Sequence, residues 1–452
     1  MRDLMMLGMM AVIVPLALSN AFAAYLVWGW TSVITVPFYL YGFMGSLRYN
    51  FFFALVTLGL IFIGKIKEKG EFTLNRTTML ILLFVAHGTV SAVLAKPSAQ
   101  HNWSIYIDLI KSLTYCMVMF LFVTSRFRLH AMLVAIALGL GFHGLVEGMK
   151  TFVTAGGHRV IGLPGSKMAD NNHFGVAIVM VLPILLYLYQ YSKYRLVRFG
   201  FLAVLASTAM AVVGSNSRGA LLAMCAFGAV LVVTSRRKVL AMALVLAGAA
   251  LVVSVGSERW LERMETIGNA SEDQSFMGRV DAWNISTALA LRNPVFGTGF
   301  HAMQSYDVWH SVRPRDGLLS AVAPPVQQES ARAAHSIYFE VLGDLGFVGL
   351  LLFLAIMANA FLTAREVKRM AARAGPGMLW ARDMADTLAL SCFVFAVGGA
   401  GVSLAYFETF YVIVILIEVL RQCVQKQMAQ SMAGAKQGAV GTAAAALRAP
   451  GP

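Results

Sequence analysis

Charge is scarce in this sequence. Of its 452 residues 13% are Asp, Glu, Lys or Arg and 58% are hydrophobic, with a mean hydropathy of +0.71. A soluble domain carries about 25% charged residues, so a soluble globular chain is excluded and an integral membrane protein is expected. Cysteine is sparse too. Cys116, Cys225, Cys392 and Cys423 fall in or at the end of apolar runs, without the paired spacing of a disulfide framework or a zinc site, and they read as packing residues. No His/Asp/Glu cluster has Asp-x-Asp or His-x-x-x-His spacing on a shared face, so neither a metal nor another cofactor is expected. No repeat of about 20–50 residues is visible, nor the inverted symmetry of many transporters. Acidic residues are the scarcer sign, 22 against 36 basic, for a net charge of +14.

What is present is a series of apolar runs near the roughly 20 residues that span a bilayer. They predict helices near 4–28, 47–64, 75–95, 102–124, 129–152, 173–191, 196–214, 218–234, 238–256, 335–363, 385–400 and 404–422. The expected fold is an all-α polytopic membrane protein of about 12 transmembrane helices. Residues 1–24 resemble a signal peptide, but the many later spans favour an uncleaved first helix. Residues 29–46, aromatic and holding Pro37, Gly42 and Gly45, suggest an interfacial or re-entrant stretch.

The positive charge is sorted. Lys65, Lys67, Lys69 and Arg76, then Arg126 and Arg128, Lys193, Arg195 and Arg198, Arg236, Arg237 and Lys238, and Arg365 to Arg382 fall in alternate connections. The intervening connections are poor in cations. The positive-inside rule then puts both termini in the cytoplasm and the long polar segment outside, and it accounts for the net charge without nucleic acid. The expected divisions are transmembrane helices over 1–256, a large periplasmic loop with short helices over 257–334, further transmembrane helices over 335–425 and a disordered cytoplasmic tail over 426–452.

The unusual polar residues gather on the outer side: His158, Arg159, Lys167, Asp170 to His173, Ser215 to Arg218, Arg279, Arg313, Arg315, Arg332 and His335. An anionic substrate would explain them. Arg218 opens a predicted helix, whose free N–H groups also attract anions. Arg279 has Trp283 one helical turn on, and Asn293-Pro294 ends that helix. Gly297-Thr298-Gly299 makes a turn whose backbone can approach a ligand, without the glycine-lysine core of a P-loop. His335 stands where the chain re-enters an apolar helix and can take a proton from a hydroxyl near neutral pH. Glu340 and Asp344 are near enough along that helix to affect its orientation. Each residue also has a plainer reading: snorkelling for Arg218, loop pairing with Asp281 or Glu272 for Arg279, helix capping for the Asx run, and an interfacial histidine for His335.

With Gly278-Arg279-x-x-x-Trp283, Asn293-Pro294-Val295-Phe296-Gly297-Thr298-Gly299-Phe300, and Ala334-His335-Ser336-Ile337-Tyr338 followed by Gly343-Asp344-Leu345-Gly346-Phe347-Val348-Gly349-Leu350, the chain resembles the O-antigen ligase and polymerase superfamily of bacterial inner-membrane glycosyltransferases. Ser217-Arg218-Gly219-Ala220 and Asn172-His173-Phe174-Gly175 add to the likeness. The resemblance implies glycan transfer from an undecaprenyl-pyrophosphate donor at the periplasmic face, in the ligase type to the lipid A–core of lipopolysaccharide, without metal or ATP. Arg218 and Arg279 are then the expected diphosphate-stabilising residues and His335 the base. His158, Arg159, Lys167, Asn172, His173, Trp283 and Tyr338 are the further candidates for substrate contact. A polymerase, a ligase acting on protein, and a transporter for lipid-linked sugars remain alternatives.

Overall fold

The computed structural model describes residues 1–66, 69–235, 238–255, 274–321 and 330–446. Expectations for Lys67, Arg236, Arg237, Glu272, 256–273, 322–329 and the last six residues lie outside the described residues. Among those described, every regular element is helical, as the long apolar runs without β-type alternation require. Helix starts coincide with side-chain caps: Asn75 and Thr78 form a capping box before Arg76–Leu94, and Ser125, Asp170 and Ser217 cap Arg126–Val153, Asn171–Val179 and Arg218–Thr234.

In chain order we name the helices α1 (Arg2–Ser19), α2 (Ala21–Ile34), α3 (Tyr49–Phe62), α4 (Arg76–Leu94), α5 (Asn102–Phe122), α6 (Arg126–Val153), α7 (Asn171–Val179), α8 (Leu182–Tyr191), α9 (Arg195–Gly214), α10 (Arg218–Thr234) and α11 (Lys238–Val255). There follow α12 (Gln274–Arg292), the short α13 (Tyr306–Trp309), α14 (Ile337–Ala374), α15 (Leu379–Gly399) and α16 (Glu408–Ala446). Among the described residues seven helical spans are long and apolar enough to cross a membrane, with α7 and α8 counted as one. Twelve were expected. Part of the difference lies in α2, α3 and α10, which are apolar but only 14, 14 and 17 residues long.

The first span departs from expectation. Asn20 is extended and its side chain accepts from the N–H groups of Phe22 and Ala23, which ends α1 and starts α2. Arg2 Nη1 donates to Tyr41 Oη at 3.0 Å, so the start of α1 lies beside the segment that follows the end of α2. The two helices therefore run antiparallel, and the single helix expected over 4–28 is a hairpin. Phe22 at its tip lies under the Arg128 guanidinium. The chain thus begins at the end of the bundle opposite Arg128, not on the same side as that cationic connection.

The bundle is built around the first half of α16. Phe410, Tyr411, Ile413, Ile415, Leu416 and Ile417 are all fully buried, and this all-round burial marks a central helix. α6 and α9 pack closely because Gly144 and Gly148 leave room for Thr208 and for the backbone of Ser207. α16 continues to Ala446, past residue 426 where a disordered tail was expected. Its Ala-, Gln- and Met-rich composition favours helix.

Candidate active site

Two sequence motifs interlock. α14 breaks at Gly346, which adopts φ 70° and ψ −171° inside the helix. The break frees carbonyls of the first turns, and Thr298 and Gly299 donate to Asp344 O at 3.1 and 2.9 Å while Phe347 N donates to Pro294 O at 2.9 Å. A Cβ on Gly297 would strike Asp344 O, and one on Gly346 would lie 2.7 Å from Pro294 O. The Gly297–Gly299 turn therefore approaches a broken helix rather than a ligand. Its work is to fix the loop after α12 against α14.

His335 precedes α14 with φ 49°, a left-handed conformation uncommon outside glycine. Its N–H donates to Ser403 Oγ at 2.7 Å, and Nδ1 is buried without a hydrogen-bond partner among the described residues. Burial, then the positive charge of Arg279 and of His173, with a weaker push from Arg332, lowers its pKa to about 4 against a smaller pull from Asp170. The imidazole is therefore neutral near pH 7 and keeps a lone pair.

Arg279 and Arg332 act on the same histidine, and the start of α10 lies beside Arg279. Arg279 is a half-buried residue of the largely buried α12, and its Nη1 is 3.6 Å from where a Cβ on Gly401 would stand; that point is 3.9 Å from Gly219 Cα, next to Arg218. Arg332 packs its guanidinium over Gly278. Asn171 Nδ2 donates to Ser215 O at 2.7 Å and so ties the Asx run to the turn before Arg218. Asp170 caps α7; burial pushes its carboxyl up, but His173 and the Asn172 and His173 N–H groups hold it down at about 2. His173 is gripped at both nitrogens, Nδ1 by Asp170 at 2.9 Å and Nε2 by Ser403 O at 2.7 Å. Ser403 thus joins the His173 ring to the His335 backbone.

The remaining candidates divide. Lys167 pairs with Glu408 at 3.1 Å and donates to Tyr406 O at 3.0 Å. Asn172 is half-buried beside Asn171. Trp283 donates from Nε1 to Ala334 O at 2.9 Å and stacks on Phe339 at 5.1 Å, so its polar atom holds the residue before His335 and one ring face packs on α14. Tyr338 donates to Ala396 O at 2.8 Å. His158 is engaged by Glu147 at 2.6 Å and Arg159 is exposed; among the described contacts neither joins the His335 cluster. Glu340 and Asp344 do not orient His335. Both hold His301 instead: Glu340 Oε1 meets His301 Nε2 at 2.7 Å, and Asp344 Oδ2 accepts the His301 N–H at 2.9 Å. Burial disfavours the charged His301 ring, yet Glu340 and then Asp344 raise its pKa above the usual value. No local pattern could have linked residues 301 and 340, which meet only through the interlock. Among the described residues no group of three or more His, Cys, Asp and Glu side chains is placed to hold a metal ion.

Beside this cluster lies a cavity of about 1260 Å³. Its walls include Trp28, Phe51, Leu55, Leu58, Ile107 and Met132, and its inner end is formed by Lys167, Asp170, His173, His301, Gln304, Glu340, Ser403 and Tyr406. Phe51, Leu55, Leu58 and Ile107 are also exposed on the flank of the bundle, so the cavity opens sideways where lipid would lie.

Fold and site together define a helical membrane protein with cations, a neutral histidine and a laterally open cavity gathered at one end. A family model described as O-antigen ligase matches residues 201–354, about a third of the chain, and supports a likeness to the O-antigen ligase and polymerase superfamily. Members of this family are glycosyltransferase-like ligases or polymerases with lipid-linked substrates. A second model, of a family of unknown function, matches residues 1–193. No curated protein matches the chain.

Proposed function

We propose that the protein is an O-antigen ligase of the bacterial inner membrane. It transfers a glycan from undecaprenyl pyrophosphate to the lipid A–core of lipopolysaccharide, with the site on the periplasmic face. The observation that carries this reading is the placement of Arg279 and Arg332 beside a neutral His335, with the start of α10 that bears Arg218 next to Arg279, alongside a laterally open apolar cavity. A diphosphate leaving group develops negative charge as the glycosidic bond breaks, and permanently charged guanidinium groups stabilise it. His335 accepts the proton of the acceptor hydroxyl, whose oxygen attacks the anomeric carbon opposite the departing diphosphate, with inversion. Electrons of the broken C–O bond leave with undecaprenyl pyrophosphate, and the proton stays on the imidazole until released to water.

The low basicity of the free His335 fits this sequence of events. In the free protein Arg279 and Arg332 oppose its protonation. Once diphosphate neutralises them, that opposition falls and the imidazole becomes a stronger base when it is needed.

The test is reconstitution with undecaprenyl-pyrophosphate glycan and lipid A–core, with and without chelator. We expect capped lipopolysaccharide in both, and its loss in His335→Ala and Arg279→Ala while lipid-linked glycan persists. Removing one such electrostatic group costs about 10²–10³ in rate. Glycan still joined to core, with only its length changed, would replace the ligase with a polymerase. Glycan recovered on protein would replace the acceptor, and movement without transfer would identify a transporter.

A further inference from the structure

The His301–Glu340 pair has no role in the transfer just described, and stability alone does not explain it. Glu340 sits in the first turn of α14 with a side-chain exposure of 4%, and His301 with 19%. A buried pair of this kind is commonly no more stable than apolar residues of the same volume. His301 also adopts φ 52°, and of the five described non-glycine residues with positive φ three are Asn216, His301 and His335. Such strain tends to collect at functional sites.

The ring is held from two sides. Glu340 Oε1 takes Nε2, Glu340 Oε2 is itself fixed by the Ala405 N–H at 2.8 Å, and the His301 backbone is fixed by Asp344. Since His301 lines the cavity, Nδ1 is the nitrogen left to meet whatever enters there. Gln304, Lys167 and Asp170 stand on the same inner end. The cavity, whose lining also includes Arg48, Asp108 and Lys111, therefore combines exposed apolar side chains with a polar wall carrying amide, imidazole, ammonium and carboxylate, which suits a lipid whose head is a polyhydroxylated sugar.

We infer that His301, held by Glu340, is a positioning residue that hydrogen-bonds a sugar hydroxyl at the inner end of the cavity. This rests on the glycan-transfer reading for the identity of the sugar, which belongs either to the donor's first residue or to the acceptor. A hydroxyl both donates and accepts, so it pairs with Nδ1 in either protonation state of the ring.

Equilibrium binding to the purified full chain separates the two sources. The ligands are undecaprenyl-pyrophosphate glycan, bare undecaprenyl pyrophosphate and lipid A–core. His301→Asn and Glu340→Gln should each weaken one sugar-bearing ligand roughly tenfold and leave bare undecaprenyl pyrophosphate unchanged. Loss on the glycan donor assigns the hydroxyl to the donor, and loss on lipid A–core assigns it to the acceptor. Unchanged affinity for both, or equal weakening of bare undecaprenyl pyrophosphate, overturns the inference. If one variant does not fold, the other carries the same comparison. Should neither fold, the wild-type chain compared with deoxy-sugar ligands decides the matter: equal affinity for every deoxy form would refute it. Intact binding differences with no glycan transfer in the wild type would remove the proposed function and leave this subsite standing.

Discussion

Substituting Gly346 by alanine tests the interlock that carries His301 and shapes the start of α14. Its backbone, φ 70° and ψ −171°, is nearly matched by Gly375 at φ 87° and ψ −168°. A side chain in that region costs about 1–3 kcal/mol at either position. Their surroundings differ: a Cβ on Gly375 meets nothing within 4 Å, whereas one on Gly346 lies 2.7 Å from Pro294 O and 2.8 Å from Val295 O. Pro294 O cannot retreat freely, because it is already bonded to Phe347 N at 2.9 Å. Overpacking of this kind adds about 1–3 kcal/mol. Gly346→Ala should therefore lose about 2–6 kcal/mol and Gly375→Ala about 1–3. Unfolding can be followed in detergent with a thiol-reactive dye, since Cys116, Cys392 and Cys423 are buried and report on core opening once exposed Cys225 has been blocked. Equal losses in the two variants would show that the contact between the Asn293–Gly299 turn and α14 carries no stability, and the account of the motif would fail.

Three further outcomes follow from the same geometry. Because His335 is held down to about 4, it is uncharged above that pH in the free protein, and kcat/KM should fall only as pH drops through that region. The acid limb of kcat, which reports the substrate complex, should lie at higher pH because diphosphate offsets the arginines; coincident limbs would refute the coupling. The same group contributes to stability in the opposite sense to a salt-bridged histidine: the unfolded chain binds its proton near 6.5, so the contribution is full above 6.5 and is lost as pH falls towards 4, visible as a declining unfolding midpoint. Trp283→Phe keeps the stack on Phe339 but removes the bond to Ala334 O, and should cost about 0.5–1.5 kcal/mol of stability. A hundredfold loss of activity at unchanged stability would instead put the indole on substrate.

The sequence by itself determined the class of the protein and most of its helix ends. Apolar length, side-chain caps such as Asn75, Asp170 and Ser217, and Pro294 act within a few residues, so they are readable one segment at a time. Arg218, Arg279 and His335 stood out because cations and histidine are rare on the cation-poor side of an apolar chain. Only tertiary structure decided what they face. The hairpin at Asn20 depends on where Arg2 finds Tyr41, and the role of Gly297 depends on a helix broken 49 residues later at Gly346, contacts that no local period encodes. Likewise Glu340, near His335 along the helix but not one turn from it, pairs with His301, because the break in α14 brings in the loop that follows α12. Helical periodicity ranks neighbours within one helix, whereas the partner of a buried charge is set by whichever element packs against it.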